Sequence, residues 1–416
     1  MSELNLTWEN LHKLGGKYGD SFYIWDIAGV EANFKSFLEH FRNYYKKTTL
    51  AYSYKTNYLP ALCALINRLG GYAEVVSRME YDLARGIGAA PRDIIFNGPV
   101  KSLADIEDAA LSGSIVNIDS FYEIDFLKAA AAKSPSRKIS IGIRCNFDVG
   151  EEKRSRFGVD VESDALENIF QAVKNIDNIE IAGLHCHFST AARSVESFAL
   201  RTGKMAELSK KHFKKDAPRF IDIGGGFFGP MAPSLARQFS FPIPAYREYA
   251  QAAAGKFAEY YEPESGPELI VEPGIAIVGD TMKFAARIVG VKKINGRNYA
   301  VCSGTAFNIK PSLHGMNLPL KVLSHPENRS SRWVEGEVDI VGFTCVEKDC
   351  LYEKYTGRIY EGDYVLFEQV GGYTIVLNPP FISPLPAILA YDAREEEYYP
   401  VRKPGTFEDV FSPYVF

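Results

Sequence analysis

The chain has 416 residues, 46% hydrophobic, 24% charged and 13% aromatic, the profile of a globular protein of roughly two domains with substantial cores. Its 47 basic and 52 acidic residues leave a net charge of -5, which attracts neither nucleic acid nor an anionic membrane. Six scattered cysteines without paired metal-ligand spacing read as free thiols in a reducing compartment, so a cytoplasmic enzyme is the starting expectation.

At the N-terminus, Met1-Ser2-Glu3-Leu4-Asn5 has no basic stretch leading into an apolar one, and no signal peptide is expected. No apolar run approaches the roughly 18 residues of a membrane span. Phe22-Tyr23-Ile24-Trp25 predicts a strand able to pair with either of two units. Short apolar runs then recur at 49–55, 73–77, 94–97, 115–119, 139–144, 181–187, 220–223 and 269–272. Helical-looking stretches such as 79–86, 121–132, 165–176 and 195–211 lie between them. Strands alternating with helices imply a parallel sheet. Eight such units fit a (β/α)8 TIM barrel, whereas a doubly wound sheet leaves the eightfold spacing unexplained. Beyond about residue 280 the strand-like runs 284–291, 298–301, 338–341, 364–367 and 388–391 follow one another without intervening helices, predicting a mostly β sandwich or barrel. The expected organisation is an N-terminal segment 1–30, a barrel 31–280 and a β domain 281–416.

Functional groups on such a barrel belong at the C-terminal ends of its strands. The first strand ends Tyr54-Lys55-Thr56-Asn57, placing a lysine in the mouth. Desolvation there favours the neutral amine that a Schiff base needs, though for this lysine taken alone a strand cap held in a salt bridge is the favoured reading. The sixth ends His185-Cys186-His187-Phe188-Ser189-Thr190. Alternation puts both histidines on one face. The pair can bind a metal, but no third ligand is evident nearby, so no metal is expected. A ring stacked on a flat cofactor, with hydroxyls for its phosphate, fits better. The seventh ends Asp222-Ile223-Gly224-Gly225-Gly226-Phe227, where three glycines let backbone N–H groups close on an anion. The eighth ends Val271-Glu272-Pro273-Gly274, aiming a carboxylate that requires a cation or a protonated ring nitrogen. Amine, phosphate cradle, stacking ring and carboxylate together are what pyridoxal 5'-phosphate requires.

With these residues the sequence resembles the fold-type III pyridoxal phosphate decarboxylases, the diaminopimelate and ornithine decarboxylases related to alanine racemase. The resemblance runs from Phe22 to Tyr391. It rests on Ala51-Tyr52-Ser53-Tyr54-Lys55-Thr56-Asn57, Asp222-Ile223-Gly224-Gly225-Gly226-Phe227, Glu272-Pro273-Gly274, Cys345-Val346-Glu347-Lys348-Asp349 and Gly371-Gly372-Tyr373, in the family's order. It implies that Lys55 forms the internal aldimine, His187 stacks on the ring and Glu272 holds the pyridine nitrogen. Gly224, Gly225, Gly226 and Tyr373 would bind the phosphate with Thr190, although the family usually reads Gly-Ser where this chain has Ser189-Thr190. Glu74 and Arg144 fall where the family places polar residues near the lysine and the ring. In the family's decarboxylases a cysteine from the partner subunit protonates Cα; here that residue is Cys345, implying a homodimer with shared sites. Racemases use a tyrosine instead.

The departures concern the substrate. Diaminopimelate decarboxylases continue Glu-Pro-Gly with an arginine that grips the distal carboxylate, where this chain has Ile275. An Arg-Pro-x-Leu-Tyr segment is replaced by Lys310-Pro311-Ser312-Leu313-His314, and the acid after the cysteine is Val346. Losing the planar fork of arginine at both places disfavours diaminopimelate. The amine-binding acids of ornithine decarboxylase have only Glu347 and Asp349 as counterparts. The pattern looks more like the family's secondary-metabolism branch, so a small amino-acid-type substrate with a larger or less anionic distal part is expected. Lys310, His314, Glu347 and Asp349 are the candidates to bind it. An amino-acid racemase or epimerase, diaminopimelate decarboxylase proper, a catalytically dead regulator and a non-enzymatic binding barrel are the alternatives.

Overall fold

The computed structural model describes residues 4, 6–150, 155–214, 216–327 and 332–416. They cluster into two compact units, 33–229 with 243–277, and 1–32 with 230–242 and 278–416. The opening strand, β1 (Ser21–Asp26), belongs to the second of these.

The first unit is a closed barrel. Its strands are β2 (Thr48–Ser53), β3 (Tyr72–Val75), β4 (Ile94–Phe96), β5 (Ile115–Ile118), β6 (Ile139–Asn146), β8 (Ile179–His185), β9 (Phe220–Asp222) and β10 (Glu268–Val271), and the two-residue β7 (Val159–Asp160) bridges β6 outside the ring. Each runs parallel to its neighbours, and pairing of β5 with β6 and of β10 with β2 closes the circle. These strands read as near-continuous apolar runs because helices cover their outer faces and side chains fill the lumen. Ala51, Ile95, Ile115, Ala182, Phe220 and Ile270 form one such cluster. A Cβ at Gly183 would collide with the Phe220 ring and one at Gly142 with the Asn117 side chain, so glycine here makes room for the inward residues of neighbouring strands.

The second unit is built on β11 (Met282–Ile294), β12 (Arg297–Cys302), β13 (Leu320–Leu323), β14 (Trp333–Val341), β15 (Cys350–Tyr360), β16 (Tyr364–Phe367), β17 (Ala387–Asp392) and β18 (Glu397–Arg402). The strand order is β15-β14-β12-β11-β1-β17-β18, with β16 pairing β11 and β13. The long β11 serves two neighbourhoods. Its first half pairs β1 and β16; after a register shift between Ile288 and Gly290 its second half pairs β12, the bend a bulge provides. Phe22, Ile24, Ala285, Leu366 and Leu389 share its core.

Three details differ from the sequence reading. The β unit does contain helix, at Ala306–Ile309 and Phe407–Phe411, each started by a threonine whose side chain accepts a backbone N–H. Residues 230–242 fall inside the span assigned to the barrel but cluster with the β unit. The strand at 22–25, left open between the units, pairs β11 antiparallel and β17 parallel. Among the described residues no helix is long and apolar enough to cross a membrane.

Candidate active site

The barrel mouth holds a cavity of about 980 Å³ whose lining includes Lys55, Glu74, Arg144, His187, Thr190 and Glu272. Strand β2 passes at Ser53 straight into a single helical turn, Tyr54–Thr56, and this turn carries Lys55. Lys55 Nζ donates to Glu74 Oε2 at 2.5 Å; the lysine side chain is 28% exposed and the glutamate 1%. Ser53 Oγ donates to the same oxygen at 2.7 Å and Asn97 Nδ2 to Glu74 Oε1 at 3.3 Å. Asn97 also donates to Glu272 Oε1, and Asn117 Nδ2 donates to Asn97 Oδ1 at 2.6 Å. A ladder of amides therefore ties the two carboxylates together. Ser53 and Asn97 sit at strand ends like the residues singled out in the sequence, and the same strand-end rule applied to neutral side chains would have found them.

Glu272 is fully buried. Burial alone would raise its carboxyl, but His185, His187 and Lys55 together hold it well below the usual range. His185 Nε2 lies 3.4 Å from Glu272 Oε1, while Glu272 Oε2 accepts no hydrogen bond. Burial pushes His187 down to about 4. Consistently, its Nδ1 accepts the Gly225 N–H at 3.1 Å, which fixes a neutral ring with its proton on Nε2.

The expectation that no third metal ligand lies near the His-x-His pair needs correction. Ligand atoms of His185, Asp222 and Glu272 lie within 4.8 Å of one another; His187 is not in the set. Asp222 escaped because it stands 37 residues away in sequence at the neighbouring strand end. Burial and the Glu272 charge push the Asp222 carboxyl well above its ordinary range, and its Oδ1 takes the Gly224 N–H at 2.8 Å. Asp222 is thus the carboxyl biased toward the protonated form and Glu272 the one biased toward the ionised form, and a protonated carboxyl is a poor metal ligand.

The glycine turn is threaded between strand ends. A Cβ at Gly224 would collide with Cys186 O and one at Gly225 with Glu272 O, and Gly226 has a φ of 99°. Thr190 is buried with an Oγ1 that has no hydrogen-bond partner. Arg144 Nη1 donates to Asp119 Oδ1 at 3.2 Å, and its guanidinium lies 4.9 Å from the centre of the Phe157 ring.

The remaining candidates belong to the β unit. Cys345 and Glu347 are exposed on the connection between β14 and β15. Lys310 is buried and donates to Met316 O at 3.4 Å, and burial lowers both it and the half-buried His314. Tyr373 is partly exposed with a left-handed φ of 60°.

Asp349 is a correction. It is buried, Oδ1 accepts from Thr305 Oγ1 at 2.9 Å and Ala306 N at 2.6 Å, and Oδ2 accepts from Thr344 N at 3.2 Å and Thr344 Oγ1 at 2.6 Å. With each oxygen already taken twice, no acceptor is left for a substrate. Its work is to fold the Cys345 turn. Asp349→Ala is expected to lower unfolding stability by roughly 2–5 kcal/mol, because two backbone N–H groups lose their acceptor. An unchanged urea midpoint would return Asp349 to the substrate-contact candidates.

Residues 28–279 match the family model described as pyridoxal-dependent decarboxylase, pyridoxal binding domain. The diaminopimelate decarboxylase of Aquifex aeolicus is 24% identical over 389 residues, spanning 90% of this chain and 87% of that protein. That of Helicobacter pylori is 25% identical over 416 residues, 97% of each. Among solved structures, diaminopimelate decarboxylase from M. jannaschii in complex with L-lysine superposes with a TM-score of 0.85 at 20% identity, covering 97% of this chain and 94% of that one. At that identity the likeness is one of fold.

Proposed function

Because the chain belongs to the pyridoxal-dependent decarboxylase family, we propose that Lys55 carries the cofactor and that the substrate is an amino acid with a distal part larger, or less anionic, than that of diaminopimelate. The protein is a pyridoxal phosphate-dependent amino-acid decarboxylase, a carboxy-lyase. The residues at the mouth fit the cofactor. Glu272 Oε2 and Thr190 Oγ1 are buried without hydrogen-bond partners, one suited to a protonated ring nitrogen and the other to a phosphate oxygen. The glycine turn lies so close to the neighbouring strand ends that neither Gly224 nor Gly225 could carry a side chain.

When bound, pyridoxal phosphate supplies the electron sink for the pair left on Cα as carbon dioxide departs. Lys55 would provide the amine that holds the cofactor. Glu74, itself anchored by Ser53 and Asn97, holds that amine at the mouth. Glu272 stays ionised and so keeps the ring nitrogen protonated. His187, kept neutral by accepting the Gly225 N–H, would stack on the ring without adding a competing charge. Arg144, steadied by Asp119, lines the same cavity. Cys345, from a second copy of the chain, returns a proton to Cα and must be a thiol at that moment.

The observation that carries this reading is the Lys55–Glu74 pair beside a Glu272 with one unpartnered oxygen. The substrate part of the proposal is supported by Ile275, an apolar residue directly after Gly274 that cannot fork a carboxylate, and by a cavity near the upper end of the roughly 300–1,000 Å³ common for ligand sites. Lys310, His314 and Glu347 are the candidates to meet the distal group. The second reading, diaminopimelate decarboxylation proper, draws on the relatives' names. Release of carbon dioxide from a panel of amino acids and conjugates separates the two, and efficient turnover of diaminopimelate would overturn the first. The six cysteines, all free, favour the cytoplasm.

Homodimerisation with shared sites is tested by mixing subunits. Lys55→Ala and Cys345→Ala proteins, each inactive alone, should on random reassortment regain about a quarter of wild-type activity, since half the dimers then hold one intact site. No recovery, with exchange verified, would place both residues in one chain's site.

A further inference from the structure

One buried cation in the barrel unit has no part in this scheme. Arg201 lies on the helix Val195–Phe213, which Ser194 starts by accepting the Ser197 N–H, and none of its surface is exposed. Its guanidinium sits 3.6 Å from the centre of the Phe198 ring. Nη1 donates to two carbonyl oxygens of the glycine turn, Ile223 O at 3.2 Å and Gly225 O at 3.0 Å, while Nε has no hydrogen-bond partner. Among the described residues no carboxylate pairs with it within salt-bridge distance. Burial lowers Arg201 to about 10, so it remains a cation at neutral pH. A buried charge without a counter-ion is costly, and packing alone would be served by an aliphatic residue.

Peptide planarity says what the two bonds accomplish. In a trans peptide the C=O and the following N–H point in opposite directions. Holding Ile223 O and Gly225 O toward Arg201 therefore turns the N–H groups of Gly224 and Gly226 to the other side of the turn. The Gly224 N–H is used by Asp222 and the Gly225 N–H by His187, and the Gly226 N–H remains available to an anion. We infer that Arg201 is a positioning residue for the phosphate end of the cofactor: it fixes the peptide planes of the glycine turn and supplies the positive charge behind them. This rests on the reading that Gly224–Gly226 hold the phosphate.

The test compares pyridoxal phosphate with pyridoxal, which lacks the phosphate, in titrations of the full-length apoprotein. Arg201→Met is expected to weaken pyridoxal phosphate binding by about tenfold or more while pyridoxal binding changes within about twofold, because only the phosphate meets the charge. Arg201→Lys keeps the charge and should fall between. A merely structural arginine would lower both affinities by one factor, and that result, or no change in either, overturns the inference. Should wild-type protein itself fail to prefer pyridoxal phosphate, the cradle reading falls first. If Arg201→Met does not fold, inorganic phosphate decides: it should raise the Tm of wild-type apoprotein more than that of Arg201→Lys, and equal shifts overturn the inference.

Discussion

Lys55→Ala is expected to lower kcat/KM by at least about a thousandfold, the scale on which a covalent catalytic group is lost, while the protein still folds. Glu74 loses a charged partner but keeps Ser53 Oγ and the Asn97 amide, so its carboxylate is not stranded. Lys55→Arg makes the argument sharper. It restores a cation for Glu74, and with it wild-type stability, yet a guanidinium cannot attach an aldehyde; activity should stay lost. Two other lysines compete as attachment points because burial lowers both, Lys101 and Lys310. Lys101, however, is bound to Glu123 Oε1 at 2.8 Å with neither side chain exposed, and Lys310 is in the β unit. Borohydride reduction of the holoenzyme followed by peptide mapping distinguishes them. Cofactor fixed at residue 101 or 310, or activity surviving in Lys55→Arg, would sink the assignment.

What was legible in the sequence follows from one topological fact. A parallel barrel gathers the C-terminal ends of its strands at one mouth, so eight apolar runs were enough to bring Lys55, Glu74, Arg144, His187 and Glu272 to one cavity, with the glycine turn hydrogen-bonded to His187 beside it. What escaped has no such rule. Arg201 reaches the turn from a helix, more than twenty residues upstream, and a lone arginine among surface-type residues signals nothing. Asn97 bridges Glu74 and Glu272 only because the barrel closes, which no spacing encodes. The Lys101–Glu123 pair, wholly buried, reads in sequence as two ordinary surface charges. Asp349 was misread for the opposite reason. Its place four residues after Cys345 suggests a substrate ligand, but the connection folds back so that its carboxylate oxygens bind the turn itself and the helix Ala306–Ile309. Topology decides which groups can meet; the count of unfilled acceptors decides what they do.

Glu272→Gln carries the second large effect, a fall in kcat on the order of a thousandfold, about 4 kcal/mol, with the cofactor still bound. Glutamine preserves the shape, and its amide oxygen still accepts from Asn97. Its NH₂ then takes the place of Oε2, the oxygen free of partners, and presents a donor where the ring nitrogen needs an acceptor for its proton. The nitrogen loses that proton and the electron sink weakens. The charge also has a signature in stability. Burial opposes ionisation of Glu272, yet His185, His187 and Lys55 leave its folded carboxyl well below 4.5. A depressed acid stabilises the fold above its unfolded value and loses that contribution as pH falls through the folded one. Glu272→Gln should therefore flatten the acid limb of the stability profile as well as cut turnover. Asp222→Asn is the control. Asp222 is pushed the other way by burial and the Glu272 charge, toward the protonated form that the amide mimics, so turnover should fall less than about tenfold, about 1.4 kcal/mol. Equal losses in the two variants would overturn this division of roles between the carboxyls.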